Sequence, residues 1–296
     1  MSNKRDRRRG PSEPSAKPAE RPKRPAASGL DLFPPMRHSL AHGLAASTGS
    51  LWFLLFILVL VPGTWVALRA MGMEVFPPTM VQVLSIPPVS SSFDLVLTTN
   101  LFTGWGGIVF ILALTVIRAL VWGILVGLLD EALEYRSMSR LGILRGLNAF
   151  RAMLLYCYVS MGIMIFGSLV ASTLGPGIGS SASIFALVGA LTFLGFAPAV
   201  AVRTGVPGVE SLQRSIRGAR LPGWPKQMML AVVYFFLIAI VIPGFGSTFP
   251  LVTANPPLGE MVFVLTGTLL NVVFLAAFVD RWRMIEDDVE PTPPRR

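Results

Sequence analysis

The run LWFLLFILVLV, residues 51–61, decides the fold, because it contains no polar side chain. It lies within an apolar stretch of the length that an α-helix needs to cross a bilayer, about 20 residues. The composition of the 296-residue chain agrees, with 53% hydrophobic residues, 14% charged residues and a mean hydropathy of +0.64. An average soluble domain is about 25% charged. The sequence therefore predicts a polytopic membrane protein.

Five more stretches share this length and apolar continuity, so we predict an all-α bundle of six transmembrane helices. The predicted domains are a disordered, basic, Pro/Ala-rich tail over 1–28, a six-helix transmembrane domain over 29–283 and a short charged tail over 284–296. The tail over 1–28 has almost no large apolar residue with which to offset the entropy of ordering it. The predicted spans are 49–70, 105–129, 152–174, 182–202, 227–247 and 259–280.

The placement of positive charge tests these spans independently. Of the 25 Lys and Arg residues, 23 lie before span 1, between spans 2 and 3, between spans 4 and 5, or after span 6. The connectors on the other side, 71–104, 175–181 and 248–258, contain none. Because cytoplasmic loops carry the excess of Lys and Arg, both termini are predicted to be cytoplasmic. We expect a multi-pass protein of the bacterial cytoplasmic (inner) membrane.

The cytoplasmic connectors share a pattern. Residues 145–151, RGLNAFR, align with residues 214–220, RSIRGAR, and both have Arg at i and i+6 with an apolar residue at i+2. Residues 37–43, RHSLAHG, form a third and poorer copy, in which Met36, Leu40 and Leu44 are spaced for one helical face. This pattern predicts amphipathic elbow helices before three membrane hairpins, a threefold parallel repeat. The alternative is that any basic amphipathic connector has this pattern.

The segment 208–224, GVESLQRSIRGARLPGW, resembles the elbow of a broad group of poorly characterised bacterial six-span membrane proteins. That group includes proteins similar to the membrane domain of glycerophosphoryl diester phosphodiesterases. The resemblance implies a fold and no activity. The residues that fit the pattern are Glu210, Leu212, Arg214, Ser215, Arg217 and Trp224.

Two polar residues are predicted at membrane depth. Arg118 has about a dozen mostly apolar residues on each side, and Asn271 of span 6 is a polar partner by depth. An arginine at a helix centre costs about 2.5 to 3.5 kcal/mol on insertion scales, so a partner or a water-lined cavity is expected. Either Arg118 contacts a substrate or an anion inside the bundle, or it is a structural or snorkelling residue.

The arginines of the elbows are candidate contacts for lipid or for a partner. Each Lys or Arg near an anionic membrane surface contributes about 1 kcal/mol of attraction. The expected partners are membrane lipids, in particular anionic headgroups, and the sequence leaves a membrane-protein partner or a homo-oligomer open. Nucleic acid is not expected, because the basic tail offers no base readout or stacking. The candidate residues are Arg145, Arg151, Arg214, Arg217 and Arg220.

Signatures of metal sites and of catalysis are not predicted. His38 and His42 share a helical face, but two ligands do not make a metal site, and the single Cys157 excludes a multi-cysteine site. The chain has no H-E-x-x-H, no G-x-S-x-G and no Walker lysine motif. The acids at 130–134 and 286–290 are interpreted as solvated starts of connectors. No cofactor is expected.

Two functions remain open from the sequence. The first is a non-enzymatic six-helix component of the cytoplasmic membrane that is transport-related, lipid-associated or part of an assembly. The alternative is a small-molecule or anion permease with a polar path at Arg118 and Asn271. An intramembrane enzyme is disfavoured, because no paired carboxylates or histidines are predicted at membrane depth.

Overall fold

The computed structural model describes residues 32–50, 52, 53, 55, 105–237 and 256–289. Every element in these ranges is an α-helix, which confirms the all-α prediction. The tail over 1–28, most of span 1 and the outer connector at 71–104 lie outside the described residues. The helices are α1 (Met36–Thr48), α2 (Trp105–Tyr135), α3 (Arg140–Asn148), α4 (Phe150–Leu194), α5 (Ala197–Thr204), α6 (Gly208–Ala219), α7 (Trp224–Phe236) and α8 (Pro256–Val289).

The long helices coincide with predicted spans. Helix α2 contains span 2, the first arm of α4 contains span 3, and α8 contains span 6. On length and composition, one stretch of the described chain, Ile184–Thr204, is apolar enough to cross a membrane, with a mean hydropathy of 2.1. Core helices of soluble proteins meet the same criterion. This criterion therefore does not establish the number of membrane spans.

Helix α4 is two helical arms that meet at Gly175. This residue has φ 81° and ψ 170°, which glycine reaches without the steric cost of a Cβ. The two arms both reach α6, since Leu155 packs against Gly208 and the Phe193 carbonyl accepts a hydrogen bond from Ser215. The chain therefore reverses at Gly175. The outer connector predicted at 175–181 is shorter in the structure, where helix resumes at Pro176.

Three helices form the centre of the bundle. Helices α2, α5 and α8 contact one another, and the Phe196 ring lies 6.3 Å from that of Phe278 and 5.8 Å from that of Trp282. Within span 4 the regular helix is interrupted at Gly195 and Phe196, between α4 and α5, although both residues keep right-handed helical φ and ψ. A Cβ at Gly195 would lie 2.7 Å from Phe278 Cε1, so the close approach of α8 at this point depends on glycine.

The predicted elbows are the short helices α1, α3 and α6, and their buried faces consist of small residues. The large apolar residues of α1 do not form its buried face, since Leu44 is exposed and Met36 and Leu40 are only partly buried. Small residues let helix backbones approach closely, so they occupy the contact instead. The matching buried positions, at i, i+4 and i+7, are Ser39, Gly43 and Ala46 in α1; Gly142, Gly146 and Ala149 at α3; and Ser211, Ser215 and Gly218 in α6.

This spacing corrects the alignment of the third copy. The sequence pattern placed Arg37 over Arg145, whereas the buried faces place Arg37 over Arg140 and His42 over Arg145. The spacing between the other two copies, 69 positions, is the same in the pattern and in the structure. The spacing of the arginines is therefore a weaker guide to register than the spacing of the small residues that touch the next helix.

Two of the elbows, α3 and α6, pack on the long helix that precedes them in the chain. A Cβ at Gly123 of α2 would meet the Gly146 carbonyl of α3 at 2.7 Å, and Ser215 of α6 donates to the Phe193 carbonyl at 2.8 Å. Helix α1, the first elbow, packs instead on the last helix, α8, where a Cβ at Gly43 would meet the Val273 carbonyl at 2.5 Å. The two ends of the described chain are thereby joined.

The C-terminal tail begins later than predicted. Helix α8 continues through Val289, and Ile285 is fully buried in the core. Gly218 of α6 packs against Trp282 and Ile285 at the same place. Residues 284–289 therefore belong to the helical bundle, because apolar side chains in this last part of α8 cover the elbow α6.

Candidate functional site: a buried charge cluster below the elbows

The ends of the three central helices carry a cluster of charged side chains. Asp130 and Glu134 lie four residues apart, one turn of α2, and so share a face. The Asp130 side chain is fully buried and Glu134 is partly buried. The interpretation of the acids at 130–134 as a solvated connector is therefore wrong, because α2 continues to Tyr135 and keeps these carboxylates inside the bundle.

Arg203 of α5 joins this face to α8. Its Nη1 donates to Asp130 Oδ1 at 2.5 Å, and its Nε donates to Glu286 Oε2 at 3.0 Å. Glu286 also contacts Nη2 at 2.9 Å. The interpretation of Glu286 as solvated is wrong for the same reason as that of Asp130. One guanidinium thus holds the ends of α2 and α8 together, with hydrogen bonds to a carboxylate on each side.

Two further arginines complete the cluster. Arg145 of α3 lies 3.5 Å from Asp130 Oδ2 and 3.6 Å from Glu134 Oε2, and Arg283 Nε of α8 lies 3.9 Å from Asp130 Oδ1. Burial and the neighbouring Arg203 lower the pKa of Arg283. We call Asp130, Glu134, Arg145, Arg203, Arg283 and Glu286 the charge cluster. Its three cations and three anions balance, so its chemistry is that of an ionic lock between four helices.

A second buried arginine ties the N-terminal segment to the bundle. Arg281 of α8 is fully buried; its Nη1 donates to the Lys226 carbonyl at 2.7 Å and to Gln227 Oε1 at 3.0 Å. Its Nε donates to Ser39 Oγ of α1 at 3.3 Å. Burial lowers the pKa of Arg281 to about 10, so the side chain remains charged at neutral pH. Arg281 therefore links α1, α7 and α8.

The carboxylates beside the elbows occupy matching places. Asp280 of α8 accepts a hydrogen bond from His42 Nδ1 of α1 at 3.2 Å, as Asp130 of α2 faces Arg145 of α3. His42 and Arg145 are the matched positions in the register set by the buried faces. Each of these two elbows is thus attached by one basic side chain to a buried aspartate on the helix beneath it.

Glu131 fixes the start of α3. Its carboxylate accepts hydrogen bonds from the backbone N–H groups of Ser139, at 2.8 Å, and Gly142, at 2.9 Å, and from the Ser139 hydroxyl. A carboxylate at a helix N-terminus satisfies N–H groups that have no partner within the helix. Burial raises the pKa of Glu131, but these hydrogen bonds together with Arg145 outweigh it, and the net shift is downward.

The two predicted intramembrane residues are both buried. Asn271 of α8 accepts a hydrogen bond from the Tyr234 hydroxyl of α7 at 2.8 Å. Arg118 of α2 acts electrostatically on Tyr156 and Cys157 of α4. The polar side chains thus lie between helices rather than on the outer surface of the bundle.

The elbow arginines divide into two groups. Arg145 belongs to the charge cluster, and Arg214 pairs with Glu210 one turn away on α6. Arg151, Arg217 and Arg220 are exposed. The exposed group has the geometry required to meet a ligand from outside.

No group of three or more His, Cys, Asp or Glu side chains able to hold a metal ion occurs within residues 32–50, 105–237 and 256–289. The chain matches no family model, no curated protein and no solved structure.

Proposed function

We propose that the chain is a six-span, non-enzymatic component of the bacterial cytoplasmic membrane, transport-related, lipid-associated or part of an assembly. In this proposal both termini are cytoplasmic and the elbows lie at the level of the headgroups. The charge cluster locks the cytoplasmic ends of the central helices. The exposed arginines of the elbows bind anionic lipid headgroups.

The observation that carries this proposal is an inverted pattern of exposure. Phe166 and Phe185 lie within predicted spans and are 66% and 77% exposed, whereas Arg118 and Asn271, also within predicted spans, are 8% and 2% exposed. Large exposed apolar surfaces are rare on soluble monomers. Polar side chains turned inward and large apolar ones turned outward are what a hydrocarbon solvent favours.

Helix α3 supports an interfacial position for the elbows. Its outward side carries Leu141, Leu144 and Leu147, all exposed, while Gly142 and Gly146 pack on α2. Arg151 is exposed just beyond its C-terminal end. Apolar side chains that enter the acyl boundary, flanked by arginines that meet headgroups, are typical of helices that lie in the membrane plane.

We also propose that the threefold parallel repeat is genuine. The turns that lead into α3 and α6 match, since Arg136 and Gly205 both have a left-handed φ, 53° and 66°. Both also donate their N–H to a carbonyl four residues earlier, those of Ala132 and Ala201. The resemblance to the bacterial six-span group, with its elbow segment at 208–224, belongs to the same proposal.

The experiment is a count of bound lipids by native mass spectrometry on the purified full chain in mild detergent. We expect more phosphatidylglycerol than phosphatidylcholine to be retained, and high salt to reduce the difference, because exposed charges are screened. Arg151→Gln together with Arg217→Gln should reduce retention of phosphatidylglycerol. Arg295→Gln removes one charge from the tail and serves as the control. If retention depends on neither the salt concentration nor the headgroup charge, recognition of anionic lipid is excluded.

The alternative is an anion permease with a polar path at Arg118 and Asn271. The burial of both side chains inside the bundle supports this alternative. Proteoliposomes that contain the chain would be tested for uptake of chloride and inorganic phosphate. A permease predicts uptake that Arg118→Ala abolishes and Arg118→Lys partly retains, with equal amounts of folded protein. Uptake no faster than in protein-free vesicles removes the alternative for these anions.

A further inference from the structure

A cavity of about 590 Å³ opens between the first elbow and the turn that leads into the second. His42 and Ala45 of α1 line one side, and Arg136, Ser137 and Met138 line the other. It also reaches Gly49 and Ser50, where α1 ends and the first predicted span begins. In the six-span arrangement this is the level of the cytoplasmic headgroups.

The lining of this cavity combines cationic and apolar groups. Two of the lining residues, Arg136 and Ser137, carry a guanidinium and a hydroxyl. His42 donates its Nδ1–H to Asp280, so the doubly protonated imidazolium has Nε2–H as its second donor, for a ligand. Leu133 and Met138 supply apolar surface beside these groups. A guanidinium with hydroxyl and imidazole donors matches a phosphate, and the apolar wall matches the glycerol and acyl portion of a lipid.

The backbone of Arg136 is a second and independent observation. Its φ of 53° is left-handed, a conformation that L side chains rarely adopt, whereas the matching turn before α6 uses Gly205. Arg136 is the one non-glycine residue with a positive φ in the part of the chain that the structure describes. Strain of this kind clusters at functional sites, where the side chain is required despite its cost.

We propose that this cavity binds the headgroup of one anionic phospholipid, with Arg136 as the main phosphate ligand and His42 and Ser137 as further donors. The inference rests on the proposed function, because it names a specific site for the lipid that the elbows meet. It differs from the contact of exposed arginines with the surface, since a cavity lined by a defined set of residues is saturable and has a stoichiometry of one lipid per chain.

The test is a titration of the purified full chain in mild detergent, read by native mass spectrometry and by thermal melting. Short-chain phosphatidylglycerol should bind saturably as one molecule and raise Tm. Phosphatidylcholine, whose choline ammonium cancels the charge of its phosphate and repels Arg136, should bind about tenfold more weakly. Glycerol 3-phosphate, a soluble phosphate ester without acyl chains, is titrated for comparison. If it binds as tightly as phosphatidylglycerol, the cavity is a site for free phosphate esters and the lipid assignment is overturned.

Arg136→Gly separates an effect on lipid binding from an effect on stability, because it should weaken binding without destabilising the fold. Phosphatidylglycerol affinity should fall about tenfold, while Tm without lipid stays equal or rises, since glycine adopts this φ without strain. Arg136→Lys should keep most of the affinity. Arg140→Gln, four residues away and outside the cavity lining, is the matched control and should leave the affinity unchanged.

Two failures can be told apart. If Arg136→Gly binds as the unaltered chain does, while Arg151→Gln with Arg217→Gln lowers lipid retention, the cavity assignment is wrong and the proposed surface function stands. If none of these variants changes retention and headgroup charge has no effect, both are wrong.

Discussion

Asp130 is the residue on which the charge cluster depends, since three arginines face one buried carboxylate. Asp130→Asn should lower the free energy of unfolding by about 3 to 5 kcal/mol, because removal of one partner leaves buried charge uncompensated. The measurement is denaturation of the detergent-solubilised chain. Asp288→Asn on the exposed side of α8 is the control and should cost about 0 to 1 kcal/mol. Equal losses for the two variants would show that the cluster is not buried.

Glu131 makes stability depend on pH. Its pKa is lower in the folded chain than the ordinary value of 4.5, so its stabilisation is complete above that value and is lost as pH falls through the folded pKa. Glu131→Gln should therefore be less stable than the unaltered chain at neutral pH, and the difference should shrink in acid. Unfolding followed from pH 7 to about pH 3 provides the measurement. A difference that stays constant over this range would contradict the assigned hydrogen bonds.

At the scale of elements, the contact of α3 with α2 depends on glycine. A Cβ at Gly142 would lie 2.9 Å from the Gly127 carbonyl, and one at Gly123 would lie 2.7 Å from the Gly146 carbonyl. Gly123→Ala should therefore separate the helices and cost about 1 to 3 kcal/mol of stability. Gly162→Ala is the matched control, because its Cβ would meet nothing within 4 Å and alanine favours helix. A smaller loss for Gly123→Ala than for Gly162→Ala would refute this contact.

The same elements show how much the sequence could predict. Apolar runs and the distribution of Lys and Arg predicted the helices, because length and composition alone determine these. The charge cluster was not found, since Asp130 and Glu134 look like the start of a solvated loop until α2 is known to continue. The buried small faces of the elbows were present as Ser39, Gly43 and Ala46, but the prediction rested on large apolar residues. Of these, Met36 and Leu40 pack against the core and Leu44 is exposed.

At the scale of the whole molecule, the three elbows have matched buried positions, and α1 packs on α8 and so joins the ends of the described chain. The sequence does not predict this contact between α1 and α8, because it depends on which helices are neighbours in the folded bundle. If α1 seals this arrangement, His42→Ala should loosen it, since Asp280 loses its partner. We expect hydrogen exchange in α1 to be faster in the variant than in the unaltered chain, with exchange in α3 unchanged. Equal exchange in the variant and the unaltered chain would show that this pair does not hold α1 in place.

The central claim, a six-span membrane protein with cytoplasmic elbows, is tested most directly by cysteine accessibility in intact cells. In a Cys157→Ala background, Ser91→Cys lies in the predicted outer connector and Gln213→Cys lies on the exposed side of α6. A membrane-impermeant thiol reagent should label position 91 in intact cells and position 213 only after the membrane is opened. Labelling of both positions from the same side, or a chain that remains in the aqueous fraction without detergent, would contradict the claim.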